Sequence, residues 1–102
     1  MKIFFSSVFE ADFTGAVAGF AQEASPVLAT RFESRVIEAY ERIVKHPEIG
    51  RRRKDINRQN IRSFRVAGFD NYLIFYQVRP DGIVFVRLLH GAMDLPAFLP
   101  ES

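Results

Sequence analysis

The stretch GRRRKDINRQNIRSFRV, residues 50–66, holds Arg51, Arg52, Arg53, Lys54, Arg58, Arg62 and Arg65 against a single anion, Asp55. Guanidinium groups present a planar fork that fits a phosphate or a carboxylate. Positive charge can also keep a loop soluble or deter pairing at a sheet edge. So dense a run exceeds what either task needs, and it reads as a binding surface. Proteins that hold single-stranded nucleic acid interleave exposed aromatics with their cations. Here Phe64 falls on the inner side of an alternating segment, which favours an acidic protein partner.

His90 is the other residue with chemistry to offer. It ends an apolar segment close to Asp94, and a His–Asp pair can move protons. No serine or cysteine nucleophile is linked to it in sequence, so a histidine hydrogen-bonded to a turn is the simpler reading. Arg62, Arg65 and Arg87 could stabilise charge on a phosphate beside it. His46 precedes Pro47 at a helix end, where a cation is mildly favoured. Tyr40, Tyr72 and Tyr76 sit on apolar stripes and read as core. With no cysteine and two distant histidines, no metal-ligand spacing occurs, and neither the phosphate-loop nor the dinucleotide pattern is present. No cofactor is expected.

The elements that would position these groups are legible from periodicity. Lys2 to Val8 mixes serine with Ile, Val and Phe and reads as a strand. From Glu10 to Ala24, Phe13, Val17, Phe20 and Ala24 recur at helical spacing. Gly15 and Gly19 weaken that helix, which is understandable if a second helix packs closely against them. Ser25-Pro26 restarts a helix, and Phe32, Val36, Tyr40 and Ile43 form its inner stripe up to Lys45. Glu38 with Arg42, and Glu41 with Lys45, have the spacing of intrahelical pairs. Pro47 and Gly50 end the helix.

Beyond the basic run the period becomes two. Arg62, Phe64 and Val66 face one way, and Ser63 and Arg65 the other. A turn over residues 68–71 leads into NYLIFYQV, and Pro80-Asp81-Gly82 leads into IVFVRLLH, apolar on both faces and so expected inside a sheet. The prediction is an α+β, two-layer fold. An N-terminal strand and an antiparallel helix hairpin precede a three-stranded antiparallel meander, which completes a four-stranded sheet. Leu95, Phe98 and Leu99 would pin the proline-punctuated tail.

The chain has 102 residues, which fits a single domain over 1–102. The net charge of +2 hides an asymmetry, since the acidic excess lies in residues 1–50 and the basic excess in 51–102. Absence of cysteine makes a reducing cytoplasm the expected compartment. No window has the apolar length to cross a bilayer, and no membrane partner is expected.

Three pieces carry a resemblance. They are the helix exit Pro47-Glu48-Ile49-Gly50, the strand Tyr72-Leu73-Ile74-Phe75-Tyr76, and the ending Val86-Arg87-Leu88-Leu89-His90-Gly91-Ala92-Met93-Asp94. Together they resemble the ParE branch of the ParE/RelE toxin superfamily. The resemblance implies a small bacterial toxin silenced by a cognate antitoxin, whose acidic, amphipathic C-terminal segment orders as it wraps the toxin. It implies DNA gyrase as the target, without chemistry of the toxin's own, and contact with DNA only through antitoxin or gyrase. The antitoxin- or target-binding residues would be Arg51, Arg52, Arg53, Lys54, Arg58, Arg62, Arg65 and Arg87. The alternative is the RelE type, a ribosome-dependent mRNA endoribonuclease, with His90 as base and Arg62, Arg65 and Arg87 around the phosphate. RelE-like members carry an arginine where Met93 stands here, and a tyrosine soon after; no tyrosine follows Tyr76. The ParE reading is therefore preferred, although many ParE-like members also have arginine at the Met93 position.

Overall fold

A computed structural model describes residues 1–53 and 60–91. Its elements are β1 (Lys2–Phe5), α1 (Ser7–Glu23), α2 (Pro26–Lys45), β2 (Arg51–Arg52), β3 (Ile61–Val66), β4 (Phe69–Arg79) and β5 (Gly82–His90). The strands form one mixed sheet in the order β1-β5-β4-β3-β2. β1 runs parallel to β5, and the other neighbours are antiparallel. The α+β class, the helix hairpin and the meander agree with the sequence. The sheet has five strands where four were expected. The extra one is β2, drawn from the basic run, with Arg51 opposite Ser63 and Arg52 opposite Arg62. A two-residue ladder in a polar stretch has no alternation to reveal it.

β1 ends three residues earlier than expected because Ser6 caps α1. Its hydroxyl accepts the Phe9 N–H at 2.9 Å and donates to the Val86 carbonyl at 2.8 Å. Val8 and Phe9 thus belong to the helix, and Phe9 is buried. α2 begins and ends where its signals place it, with the Ser25 hydroxyl accepting the Leu28 N–H at 3.1 Å. Its buried stripe is Ala29, Phe32, Val36, Ala39 and Ile43, while Tyr40 is only half-buried. Glu38 pairs with Arg35 at 3.8 Å, and Arg42 lies over the Phe64 ring at 5.7 Å. Gly15 and Gly19 do not mark a close helix contact, since a Cβ at either would meet nothing within 4 Å. The turn between β3 and β4 is tighter than expected. It occupies Ala67 and Gly68, with Gly68 at φ +82, and Phe69 already pairs with Val66.

The helices cover one face of the sheet. The core between them holds Phe9, Phe32, Val36, Ile43, Ile74, Tyr76, Ile83, Phe85 and Leu88. Its rings meet mainly tilted or edge to face, as at Phe32–Tyr72 (4.9 Å) and Phe20–Phe69 (5.4 Å). The opposite face carries a second buried cluster, Ile61, Phe75, Val86 and Leu89, flanked by Leu73 and Val84. β5 contributes to both clusters and is paired on both sides, which explains its continuous apolar run.

Candidate functional site

The pleat of β3 separates the cations of the basic run. Ser63 and Arg65 fall on the helix-free face, and Arg62 on the helix side with Phe64. Register then puts Arg51, opposite Ser63, on the helix-free face, and Arg52, opposite Arg62, on the other. Arg53 follows on, with its N–H donating to the Ile61 carbonyl at 3.0 Å. Its guanidinium donates to the Ser63 hydroxyl at 3.2 Å and lies 5.7 Å from the centre of the Phe75 ring. Cation and ring attract each other there.

Arg51, Arg53 and Arg65 thereby line one open groove of about 660 Å³, together with Ser63, Asp70, Asn71, Leu73, His90 and Gly91. Asp70 is its one carboxylate among the described residues. Leu73, half-buried against the second apolar cluster, is the one large apolar side chain among the groove's described lining residues, and Phe75 lies buried beneath Arg53. Such a surface suits a ligand that carries carboxylate or other anionic groups.

The remaining candidates are spent inside the fold. Arg62 donates to the carbonyls of Gly50 (2.8 Å) and Glu48 (3.2 Å), which fastens the exit of α2. Tyr76 holds the same exit from below. Its hydroxyl accepts the Gly50 N–H and donates to the Pro47 carbonyl, each at 2.8 Å. Burial pushes the Tyr76 phenol above its ordinary pKa, partly opposed by the Gly50 hydrogen bond and the charge of Arg62. A Cβ at Gly50 would collide with that ring and hydroxyl. The Pro-x-x-Gly exit and the last tyrosine of Tyr-x-Ile-Phe-Tyr are thus the two halves of one latch.

Arg87 forms a two-pronged pair with Asp12 of α1, Nε to Oδ2 at 2.8 Å and Nη2 to Oδ1 at 2.9 Å. The Leu88 N–H also donates to Oδ2 at 3.0 Å. The cause is topological. β1 leaves β5 after Phe5, and Asp12 takes over where a neighbouring strand would have accepted that N–H. The pair holds the Arg87 guanidinium above its usual pKa, chiefly through the Asp12 hydrogen bonds. Nothing in the sequence could reveal Asp12, which lies 75 positions away.

His90 lines the groove and meets the Tyr72 ring edge-on at 5.2 Å. Of the groups needed for RNA cleavage, His90 and Arg65 therefore share the groove, whereas Arg62 and Arg87 are held elsewhere. Arg52 approaches Asn60, with 3.5 Å between Nη2 and Oδ1. Lys54, Arg58, Met93, Asp94, Leu95, Phe98 and Leu99 lie outside the described residues. Among the described residues no group of three His, Cys, Asp or Glu side chains could hold a metal. No helix among them is long and apolar enough to cross a membrane.

The family model described as the ParE toxin of the type II toxin–antitoxin system, parDE, matches residues 3–95. The chain belongs to the ParE toxin family. It is the toxin component of such a system, with a cognate antitoxin as partner. The fold agrees with a solved chain from the chromosomal ParDE TA system of P. aeruginosa, at a TM-score of 0.73 and 14% identity. The match covers 88% of this toxin and 95% of that chain. No curated protein matches the sequence.

Proposed function

We propose that the groove of Arg51, Arg53 and Arg65 receives the acidic, amphipathic C-terminal segment of the cognate antitoxin, and that the free toxin arrests growth by binding DNA gyrase without chemistry of its own. The observation that carries the first part is the convergence of three arginines beside the half-buried Leu73 in one groove. Carboxylates would pair with the guanidiniums while an apolar side chain covers Leu73. The second part rests on family membership, and on Arg62 and Arg87 being bound to main-chain carbonyls and to Asp12.

The antitoxin part is tested with the protein encoded next to this gene. Its C-terminal half should bind with an affinity that falls as salt rises, and Arg51→Glu with Arg65→Glu should abolish binding in a folded toxin. Unchanged affinity in that variant refutes the groove. The gyrase part is tested by supercoiling with purified enzyme, where full activity at toxin excess refutes it. A second reading, ribosome-dependent mRNA cleavage, draws support from His90 and Arg65 lining one groove. Primer extension on translated messages separates the two: new cuts that disappear in His90→Ala establish cleavage.

A further inference from the structure

The sheet has two edges, and they are finished differently. At one end β2 is two arginines long, which is how soluble proteins blunt an edge. At the other, β1 is Lys2-Ile3-Phe4-Phe5, with no proline and no bulge. The Lys2 N–H donates to Asp81 and the Ser6 N–H to Phe85, each at 3.0 Å. Alternation along the strand therefore turns the N–H and C=O groups of Ile3 and Phe5 to the open side.

The side chains tell the same story. Among the described residues the exposed large apolar side chains are Met1 (77%), Ile3 (42%), Phe4 (42%), Val8 (45%), Val27 (70%) and Val78 (42%). Met1, Ile3 and Phe4 belong to this edge and Val8 follows it at the start of α1, whereas Val78 lies two strands away on β4. Beside the strand runs an open groove of about 500 Å³ lined by Ile3, Phe5, Tyr40, Glu41, Val44 and Lys45.

We propose that β1 is a homodimer seam, in which the β1 strands of two copies pair antiparallel about a two-fold axis at Phe4 and join their sheets into one. The outward groups of Ile3 and Phe5 require those residues to form the hydrogen-bonded pairs, Ile3 of one copy opposite Phe5 of the other. Phe4 then meets Phe4 of the second copy as the close, non-hydrogen-bonded pair, a favourable aromatic contact. Ile3 and Phe5 lie on the helix side, so the two apolar grooves merge into one buried space. Charge favours a second copy over a charged foreign segment. The groove's rim carries one acid, Glu41, and one base, Lys45, and antiparallel α2 helices set each toward its opposite. The seam stands apart from the arginine groove, so either can fail without the other.

The chain has no cysteine, which allows a clean test. Sedimentation of the purified toxin at micromolar concentration should give twice the 11.7 kDa chain mass. Ile3→Pro removes the outward N–H, exchanges one groove-lining side chain for a smaller apolar ring, and leaves the bonds to β5 in place. It should weaken association by roughly thirtyfold, the effect of two main-chain hydrogen bonds lost across the seam, with an unchanged circular dichroism spectrum. Phe4→Cys should oxidise to a covalent dimer, as a close antiparallel pair permits, while Val27→Cys should not. A monomeric wild type, an Ile3→Pro dimer of unaltered strength, or equal cross-linking at both cysteines would overturn the seam. So would a wild-type monomer whose antitoxin binding is lost in Ile3→Pro, since the edge would then belong to that partner.

Discussion

Removing one oxygen atom from Tyr76 should unsettle the whole exit of α2. The hydroxyl satisfies the Gly50 N–H and the Pro47 carbonyl at 2.8 Å each, and the Gly50 contact is buried. Tyr76→Phe keeps the ring and orphans both main-chain groups. A buried group left without a partner costs about 1–3 kcal/mol, so the pair, one end only partly buried, should cost about 2–3 kcal/mol. For 102 residues the unfolding entropy is roughly 0.2 kcal/mol per kelvin. The expected fall in Tm is therefore about 10–15 °C. Scanning calorimetry reads it directly. A fall below about 3 °C would mean that water replaces the hydroxyl, and that the latch is not what fixes the loop. Function should follow, because Arg51 and Arg53 leave the latch directly. Well below its Tm the variant should still bind the antitoxin more weakly than wild type.

Asp12→Ala should cost about 2–3 kcal/mol in chemical denaturation, since it strands the Arg87 guanidinium and the Leu88 N–H together. Gly15→Ala and Gly19→Ala should each raise stability by about 0.5–1 kcal/mol, because a helical glycine with open space around its Cα gains from a methyl. Loss of antitoxin or target binding in those two variants would mean that this helix face is covered in the complex. Burial raises the pKa of Tyr40, Tyr72 and Tyr76 in the folded state. Their contribution is intact below the unfolded-state value near 10 and is lost as pH rises through the folded-state values. Stability should drop by up to about 1.4 kcal/mol per pH unit for each tyrosine in that window, and denaturant titrations above pH 10 should show a shallower slope in Tyr76→Phe.

Periodicity carried the fold because two clear signals, a 3.6-residue stripe in α2 and alternation in β3 and β4, each decide which face is buried. It failed where main-chain geometry decides. Nothing in the pattern near Ser6 distinguishes a strand residue from a cap, and nothing in Arg51-Arg52 announces a ladder with Ser63 and Arg62. Gly15 and Gly19 were open to a packing explanation, yet both face open space. The candidate site was legible as a concentration of charge and not as an arrangement. Residues 51–65 show that arginines gather, but only the pleat and the hairpin register show that Arg51 and Arg65 share a groove while Arg52 and Arg62 turn away. Asp12, Asp70 and Asn71 carry no local signal, because their partners come from distant parts of the chain.

That division gives the arginines separable consequences. Arg62 and Arg87 spend their donors on Gly50, Glu48 and Asp12, so alanine there removes charge-assisted hydrogen bonds worth about 1.5–3 kcal/mol each. Arg51 and Arg65 are exposed and face the groove, so alanine there should shift stability by less than about 0.5 kcal/mol. Arg53, tied to Ser63 and stacked on Phe75, should do some of both. Tm and antitoxin affinity measured across the five variants should fall into two classes: weakened in binding at unchanged Tm for Arg51 and Arg65, heat-labile for Arg62 and Arg87, with Arg53 between them. Affinity lost at Arg51 and Arg65 should also shrink at high salt, where exposed charges are screened. Five variants that lose stability and affinity in fixed proportion would mean that the groove is a consequence of folding and not a surface built to receive a partner.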